Sequence, residues 1–275
     1  MGSYPATPTC VSLLRSYYPS LTAKERVVAS YIMNNTHVIR ESITHVAREC
    51  KVSYGTIDRL CKRLGLSGFQ ELKIRMASEH GEEESIAADD TALKVRMKKA
   101  VKDIHQTVEL LSEESLNNAA KAIADADSVL VCSLASSLGT AVGVHYRLSR
   151  FGIRSDCPVD TYQQRYRAAT LTVDDVALVI SYSGASKELL RVAQLSKHQG
   201  AKVIALSNYL ESPITEEADI LLLSGIESNP MGEEVASKVA MEFIVTELFE
   251  RIFALDNRFA SNLLKTFTAA AESQM

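Results

Sequence analysis

Two clusters of side chains, far apart in a chain of 275 residues, have the types and spacing to do chemistry. The first is Ser181-Tyr182-Ser183-Gly184-Ala185-Ser186, three hydroxyls arranged around a glycine. A phosphate needs several short donors converging on its oxygens, and serine hydroxyls with the N–H groups around Gly184 supply them without bulk. Ser133, Ser136 and Ser137 form a second corner of the same composition. Helix capping would explain one such turn, but two of them following two strand-like runs are harder to explain as caps. The second cluster lies in residues 52–73, VSYGTIDRLCKRLGLSGFQELK. Here Ile57, Leu60, Cys61 and Leu64 fall at i, i+3, i+4 and i+7, leaving Arg59, Lys62 and Arg63 on the other side of a helix. That is the layout of a helix that lies in DNA, with residues at its start reaching base edges and flanking cations gripping phosphates. Tyr54, Gly55 and Thr56, with Ser53 opening the helix, are expected at bases or sugars and Arg59 at either. Lys51, Lys62, Arg63 and Lys73 are expected at phosphates.

The elements that must position these groups are legible in outline. Thr22-Ala-Lys-Glu25 has the form of a capping box and opens a helix over 23–34. Ser42 caps a short second helix, residues 49–52 make a turn, and Ser53 caps the third. Residues 77–90, ASEHGEEESIAADD, are acidic and small and read as a linker or a fraying connecting helix. Helical stretches are expected at 93–111 and 115–124. Thereafter short apolar runs at 128–132, 176–181, 202–207 and 219–223 alternate with helices near 137–150, 161–170, 186–199 and 212–218, and a long helix over 234–254 closes the chain. Strand-helix repetition of this kind implies a parallel sheet covered on both faces. The expected fold is therefore an all-α helix-turn-helix domain followed by an α/β domain, a parallel sheet sandwiched by helices. The boundaries are drawn at 1–80, 81–105 (linker or connecting helix) and 106–275.

Bulk properties narrow the function. The net charge of −4 conceals an asymmetry: residues 1–80 hold eleven Lys/Arg against six Asp/Glu, a balance of +5, which leaves −9 for the rest. A basic head on an acidic body suits a DNA-binding module joined to a sensing or dimerising domain. No run approaches the ~18 apolar residues of a membrane span, and the N-terminus lacks the pattern of a secretory signal, so a cytoplasmic protein without membrane contact is expected. The five cysteines are odd in number and scattered, with no C-x-x-C pair or matching histidines. They read as reduced, buried side chains, with no metal site.

The stretch 52–73 resembles the helix-turn-helix signature of the RpiR family of bacterial transcriptional regulators. Residues 128–250 resemble the sugar isomerase (SIS) domain those regulators carry. The most specific pieces are VSYGTIDRLCKRLGLSGFQELK, ISYSGASKE, GAKVIALSN and SPITEEADILL. The resemblance implies operator DNA and a phosphosugar effector as partners, a homodimer or higher homo-oligomer, no cofactor, and control of sugar or amino-sugar catabolism. It places phosphate binding on Ser137, Ser181, Ser183 and Ser186, with Gly184 in the same loop. Ser136, Asp160, Tyr162, Glu233 and Lys238 are candidate sugar contacts. There are departures: family members usually have glycine where this chain has Ser133 and Ala135, and many have a histidine where it has Tyr162.

Two other readings compete. SIS domains also serve as phosphosugar isomerases, which need a general base near C1/C2 of the sugar, and Glu188, His145 and His198 are the candidates. The two altered glycine positions would equally suit a degenerate sensor that binds nothing.

Overall fold

Thr22 and Glu25 fix where the expected first helix begins. The Thr22 backbone N–H donates to Glu25 Oε2 at 2.9 Å and the Glu25 N–H donates back to Thr22 Oγ1 at 3.3 Å, so two otherwise orphaned amides are satisfied reciprocally. The computed structural model describes residues 9–35, 38, 41–79, 92–226 and 238–271. Contacts divide it into one compact unit ending at Leu110 and a second beginning at Leu111.

In the first unit, α1 (Cys10–Tyr17) precedes the box and was not anticipated. It is short and serine-rich, yet Thr9 caps it and Cys10 and Leu14 are fully buried. Then come α2 (Ala23–Asn34), α3 (Ile43–Glu49), α4 (Tyr54–Arg63), α5 (Phe69–Glu79) and α6 (Ala92–Leu110). Ser42 caps α3 by accepting the His45 N–H at 3.1 Å. The acidic stretch thus begins inside α5, and residues 80–91 lie outside the described residues. Val28, Ile32, Val46, Ile57, Leu60, Leu72 and Met76 form one core in which α1 to α5 share. The turn between α3 and α4 runs through Lys51, whose φ of 53° is the left-handed region, and is closed by Val52 N–H to Ala47 O at 2.9 Å. Arg15 Nη1 donates to Gln106 Oε1 at 3.1 Å and ties α1 to α6.

The second unit opens with α7 (Glu113–Asp125) and continues as β1 (Val129–Ser133), α8 (Leu138–Arg150), β2 (Ser155–Asp156), α9 (Thr161–Ala168), β3 (Val176–Ile180), α10 (Lys187–His198), β4 (Lys202–Ser207), α11 (Pro213–Glu217) and β5 (Ile220–Leu223). It ends with α12 (Val239–Leu255) and α13 (Asn257–Ala271). The sheet is parallel throughout, in the order β2-β1-β3-β4-β5. Every residue of β1 and β3 is buried, as both-face coverage requires. Leu130, Cys132, Ala177, Val179, Val203 and Ala205 meet Ala168, Leu189, Val192 and Ile214 on the face under α9, α10 and α11. On the other face α12 packs against α7 and α8. β2, only two residues long, gave no run to detect, and α13 continues as a separate helix beyond the expected closing one.

Candidate nucleic-acid interface and phosphate crevice

The α4 helix presents two sides of different chemistry. Its buried residues are Thr56, Ile57, Leu60 and Cys61. Lys51, Ser53, Tyr54, Gly55, Arg59 and Lys62 are exposed, with Tyr54 at 54% despite its large ring. Lys62 also pairs with Asp58 at 2.9 Å, one turn back. Three of the expected contacts do not join this face. Thr56 is 2% exposed and its hydroxyl bonds to Ser53 Oγ at 3.1 Å. Its position borders the apolar stripe of Ile57 and Leu60. Arg63 is partly buried and donates from Nη2 to Ser20 Oγ at 3.2 Å. Lys73 donates to Glu41 O at 3.1 Å and lies 5.6 Å from the Phe69 ring centroid. Ser53 makes no side-chain bond to a helix amide, leaving its short polar group beside Tyr54.

The second site is built by the sheet. Strand order reverses between β1 and β3, and in open α/β sheets such a switch point leaves a crevice beyond the strands' C-terminal ends. β1 and β3 are paired residue by residue from Val129↔Val176 to Ser133↔Ile180. Both serine corners therefore leave the sheet side by side.

In the corner after β3, Ser181 Oγ accepts the Gly184 N–H at 3.2 Å and Ser183 Oγ the Ala185 N–H at 3.4 Å. Ser186 caps α10 through the Leu189 N–H at 3.5 Å. Gly184 has φ 61°, which an L side chain rarely adopts. The loop is held from behind: Asn208 N–H donates to Tyr182 O at 3.1 Å, Ile214 N–H to Gly184 O at 3.0 Å, and Ser181 N–H to Leu206 O at 3.0 Å. The Asn208 side chain is itself clamped, its Oδ1 accepting from Ile226 N–H at 2.7 Å and Ser224 Oγ at 3.0 Å. The GAKVIALSN and SPITEEADILL motifs thus buttress the hydroxyl loop.

In the corner after β1, Ser137 is buried and opens α8 without a side-chain capping bond, and Ser136 is exposed. Ala135 is exposed with φ 50°. This is the left-handed backbone that glycine takes without strain. Ser133 is 1% exposed and its hydroxyl has no bonding partner among the described residues.

The expected sugar contacts are dispersed around these corners. Asp160 caps α9 through the Gln163 N–H at 2.9 Å, and Tyr162 is 62% exposed with its ring centroid 5.6 Å from the Arg165 guanidinium. Lys238 directs its ammonium to within 4.6 Å of the Tyr182 ring centroid, in the hydroxyl loop itself. Glu233 lies outside the described residues. One residue of this region was not foreseen. Gln164 is 0% exposed, and its Nε2 donates to Ser133 O at 3.0 Å and Pro158 O at 2.8 Å. It pins α9 to the end of β1, and nothing in its local sequence distinguishes it from a surface glutamine.

Other chemistries find less. All five cysteines are free, and burial pushes the Cys61 thiol up to about 12 and the Cys132 thiol up as well. Among the described residues no His/Cys/Asp/Glu group could hold a metal ion, and no helix is long and apolar enough to cross a membrane.

Comparison with known proteins matches two parts of the chain to domain families. Residues 9–83 match the model of the helix-turn-helix domain, rpiR family, and residues 122–248 that of the SIS domain. The chain is 34% identical over 249 residues to an uncharacterized HTH-type transcriptional regulator of Caldanaerobacter subterraneus subsp. tengcongensis, covering 87% of this chain and 88% of that one. It is 29% identical over 248 residues to another from Haemophilus influenzae, covering 85% and 86%. Among solved structures it is similar to the Vibrio vulnificus NanR protein complexed with ManNAc-6P (TM-score 0.64, 25% identity, 95% of this chain and 98% of that one). It also shares the fold of the sugar isomerase domain of an RpiR transcription factor from Sphaerobacter thermophilus (TM-score 0.60, 21% identity, 65% and 99%).

Proposed function

We propose, from the premise that this chain belongs to the RpiR family of helix-turn-helix transcriptional regulators with a SIS domain, that a phosphosugar bound at the β1/β3 crevice modulates its affinity for operator DNA. The observation that carries this reading is the meeting of the Ser181–Ser186 loop and the Ser137 corner at the switch point of the sheet. Short donors and a helix start follow the ends of these two neighbouring strands. The exposed Lys51, Tyr54, Gly55, Arg59 and Lys62 face supplies the DNA-binding half, with Ser53 beside it.

The isomerase reading is less well supported. His145 bonds to Ser155 Oγ at 2.8 Å, at the start of β2 and so at the opposite end of the sheet from the crevice. His198 ends α10, whose first residue adjoins the crevice; twelve residues put it roughly 17 Å away along the helix. Glu188 adjoins the crevice but is ion-paired with Arg165. Ala135, which keeps the backbone conformation of a glycine, weighs against the degenerate sensor.

The similarity to the ManNAc-6P complex places amino-sugar phosphates first in a screen. Thermal-shift measurements with pentose, hexose and amino-sugar phosphates at ~100 times Kd should raise stability by about 2.7 kcal/mol for a true effector. The same compound should change operator affinity in gel shifts, with an expected coupling of about 1–3 kcal/mol. A panel without any stabilising compound would sink the phosphosugar reading, and turnover of a hit by pure protein would replace it with the isomerase.

A further inference from the structure

The phosphate corner contains a carboxylate that ought to work against it. Ser186 caps α10 and Glu188 stands in the first turn behind it. The positive end of a helix favours an anion within its first turn, and Glu188 already occupies that field. A phosphate dianion arriving at Ser181, Ser183 and Ser186 would meet a like charge two residues beyond Ser186. Glu188 does not face it uncompensated: Arg165, from the neighbouring helix α9, is ion-paired with it through Nη2.

Arg165 is held for this role from several directions. The Tyr162 ring lies against its guanidinium. Gln164, the preceding residue, is anchored through both Nε2 hydrogens to the carbonyls of Ser133 and Pro158. Helix α9 is therefore fastened by Gln164 to the end of β1 and by Arg165 to the start of α10, bridging the two serine corners.

We propose that Arg165 is a positioning residue for the effector: by neutralising Glu188 it frees the start of α10 to accept a phosphate dianion. This rests on the phosphosugar reading above. An ordinary ion pair between two half-buried side chains would only dock α9 on α10, with a small effect on stability and none on ligand charge preference. The two roles separate by experiment.

Calorimetric titration of the full chain with ManNAc-6P and with inorganic phosphate supplies the test. Arg165→Ala should weaken both probes by roughly tenfold, the size of one close like-charge contact in a partly screened site. Arg165→Lys, which keeps the charge, should stay within about threefold of the parent. Adding Glu188→Gln to Arg165→Ala should restore affinity to the same range, a rescue that a docking contact would not produce. Arg165→Ala binding as tightly as the parent would overturn the inference alone. A double variant as weak as Arg165→Ala would overturn it by making Arg165 a direct phosphate ligand. A parent chain that binds neither probe nor any other phosphosugar would overturn the effector reading and the inference with it.

Discussion

The hydroxyl of Ser212 stands where a side chain on Gly184 would have to go: a Cβ built there would lie 1.9 Å from Ser212 Oγ and 2.6 Å from Ser212 Cβ. Ser212 cannot swing away freely, since its Oγ caps α11 through the Thr215 N–H at 3.4 Å and also bonds to Thr215 Oγ1 at 3.1 Å. Gly184→Ala should therefore cost about 1–3 kcal/mol, from crowding added to the unfavourable φ. It should abolish phosphosugar binding, because the loop must move to admit the methyl group. Urea denaturation together with ligand titration checks this; an alanine variant with parental affinity would show that the loop's shape does not govern binding.

Gly55 differs from Gly184 in that its own protein has room for a side chain. A Cβ there would meet only Ser53 Oγ, at 3.9 Å. Glycine in a helix is unfavourable by about 1 kcal/mol relative to alanine, so Gly55→Ala should stabilise the first unit by roughly 0.5–1 kcal/mol. If the exposed start of α4 approaches DNA closely, the same change should weaken operator binding. Thermal melts and gel shifts on one preparation would read both effects, and a variant gaining stability with unchanged DNA affinity would remove Gly55 from the interface.

Ala135 holds a φ of 50° while exposed, so its methyl group brings strain without core packing. Ala135→Gly should raise stability by about 0.5–1 kcal/mol, the left-handed penalty less the entropy of a freer unfolded chain. A fall in melting temperature would mean that the loop after β1 is held by contacts other than its backbone preference.

Asp175 makes the second unit sensitive to acid. Burial alone would push its carboxyl up, but Ser128 Oγ at 2.6 Å, Thr172 N–H at 2.8 Å and Thr172 Oγ1 at 2.9 Å outweigh burial and hold it below the usual range. The folded-state value is thus lower than the unfolded one. Its stabilisation is complete at neutral pH and is lost as pH falls from the ordinary Asp value of about 3.9 through the folded-state value. Asp175→Asn should lower stability at pH 7 by about 1–2 kcal/mol, with the difference from the parent shrinking under acid. Denaturant titrations at pH 7 and pH 3 would settle it, and an equal difference at both would exclude Asp175 as the titrating group.

What could be read in the chain and what could not divide along physical lines. Caps and strands are local signals, so the Thr22–Glu25 box and four of five strands stood within a residue or two of their places. β2 has too few residues to show alternation. Thr56 is buried beside Ile57 with its hydroxyl taken up by Ser53 Oγ, which a polar count of residues hides. The withdrawal of Arg63 to Ser20 and of Lys73 to Glu41, over 43 and 32 positions of sequence, is tertiary. So are the anchoring of Gln164 and the pairing of Arg165 with Glu188, whose partners lie on other elements. The serine corners were visible as composition; their adjacency is a property of strand order alone.

That adjacency has a metric side. Because β1 and β3 are bonded in register up to Ser133 and Ile180, the gap between the two serine corners is dictated by the fixed spacing of neighbouring strands, about 4.8 Å. A ligand that touches both is gauged against a calliper whose jaws are parts of the core. Loop fluctuation can tilt the hydroxyls, while the strand ends that carry them hold this spacing as part of the core.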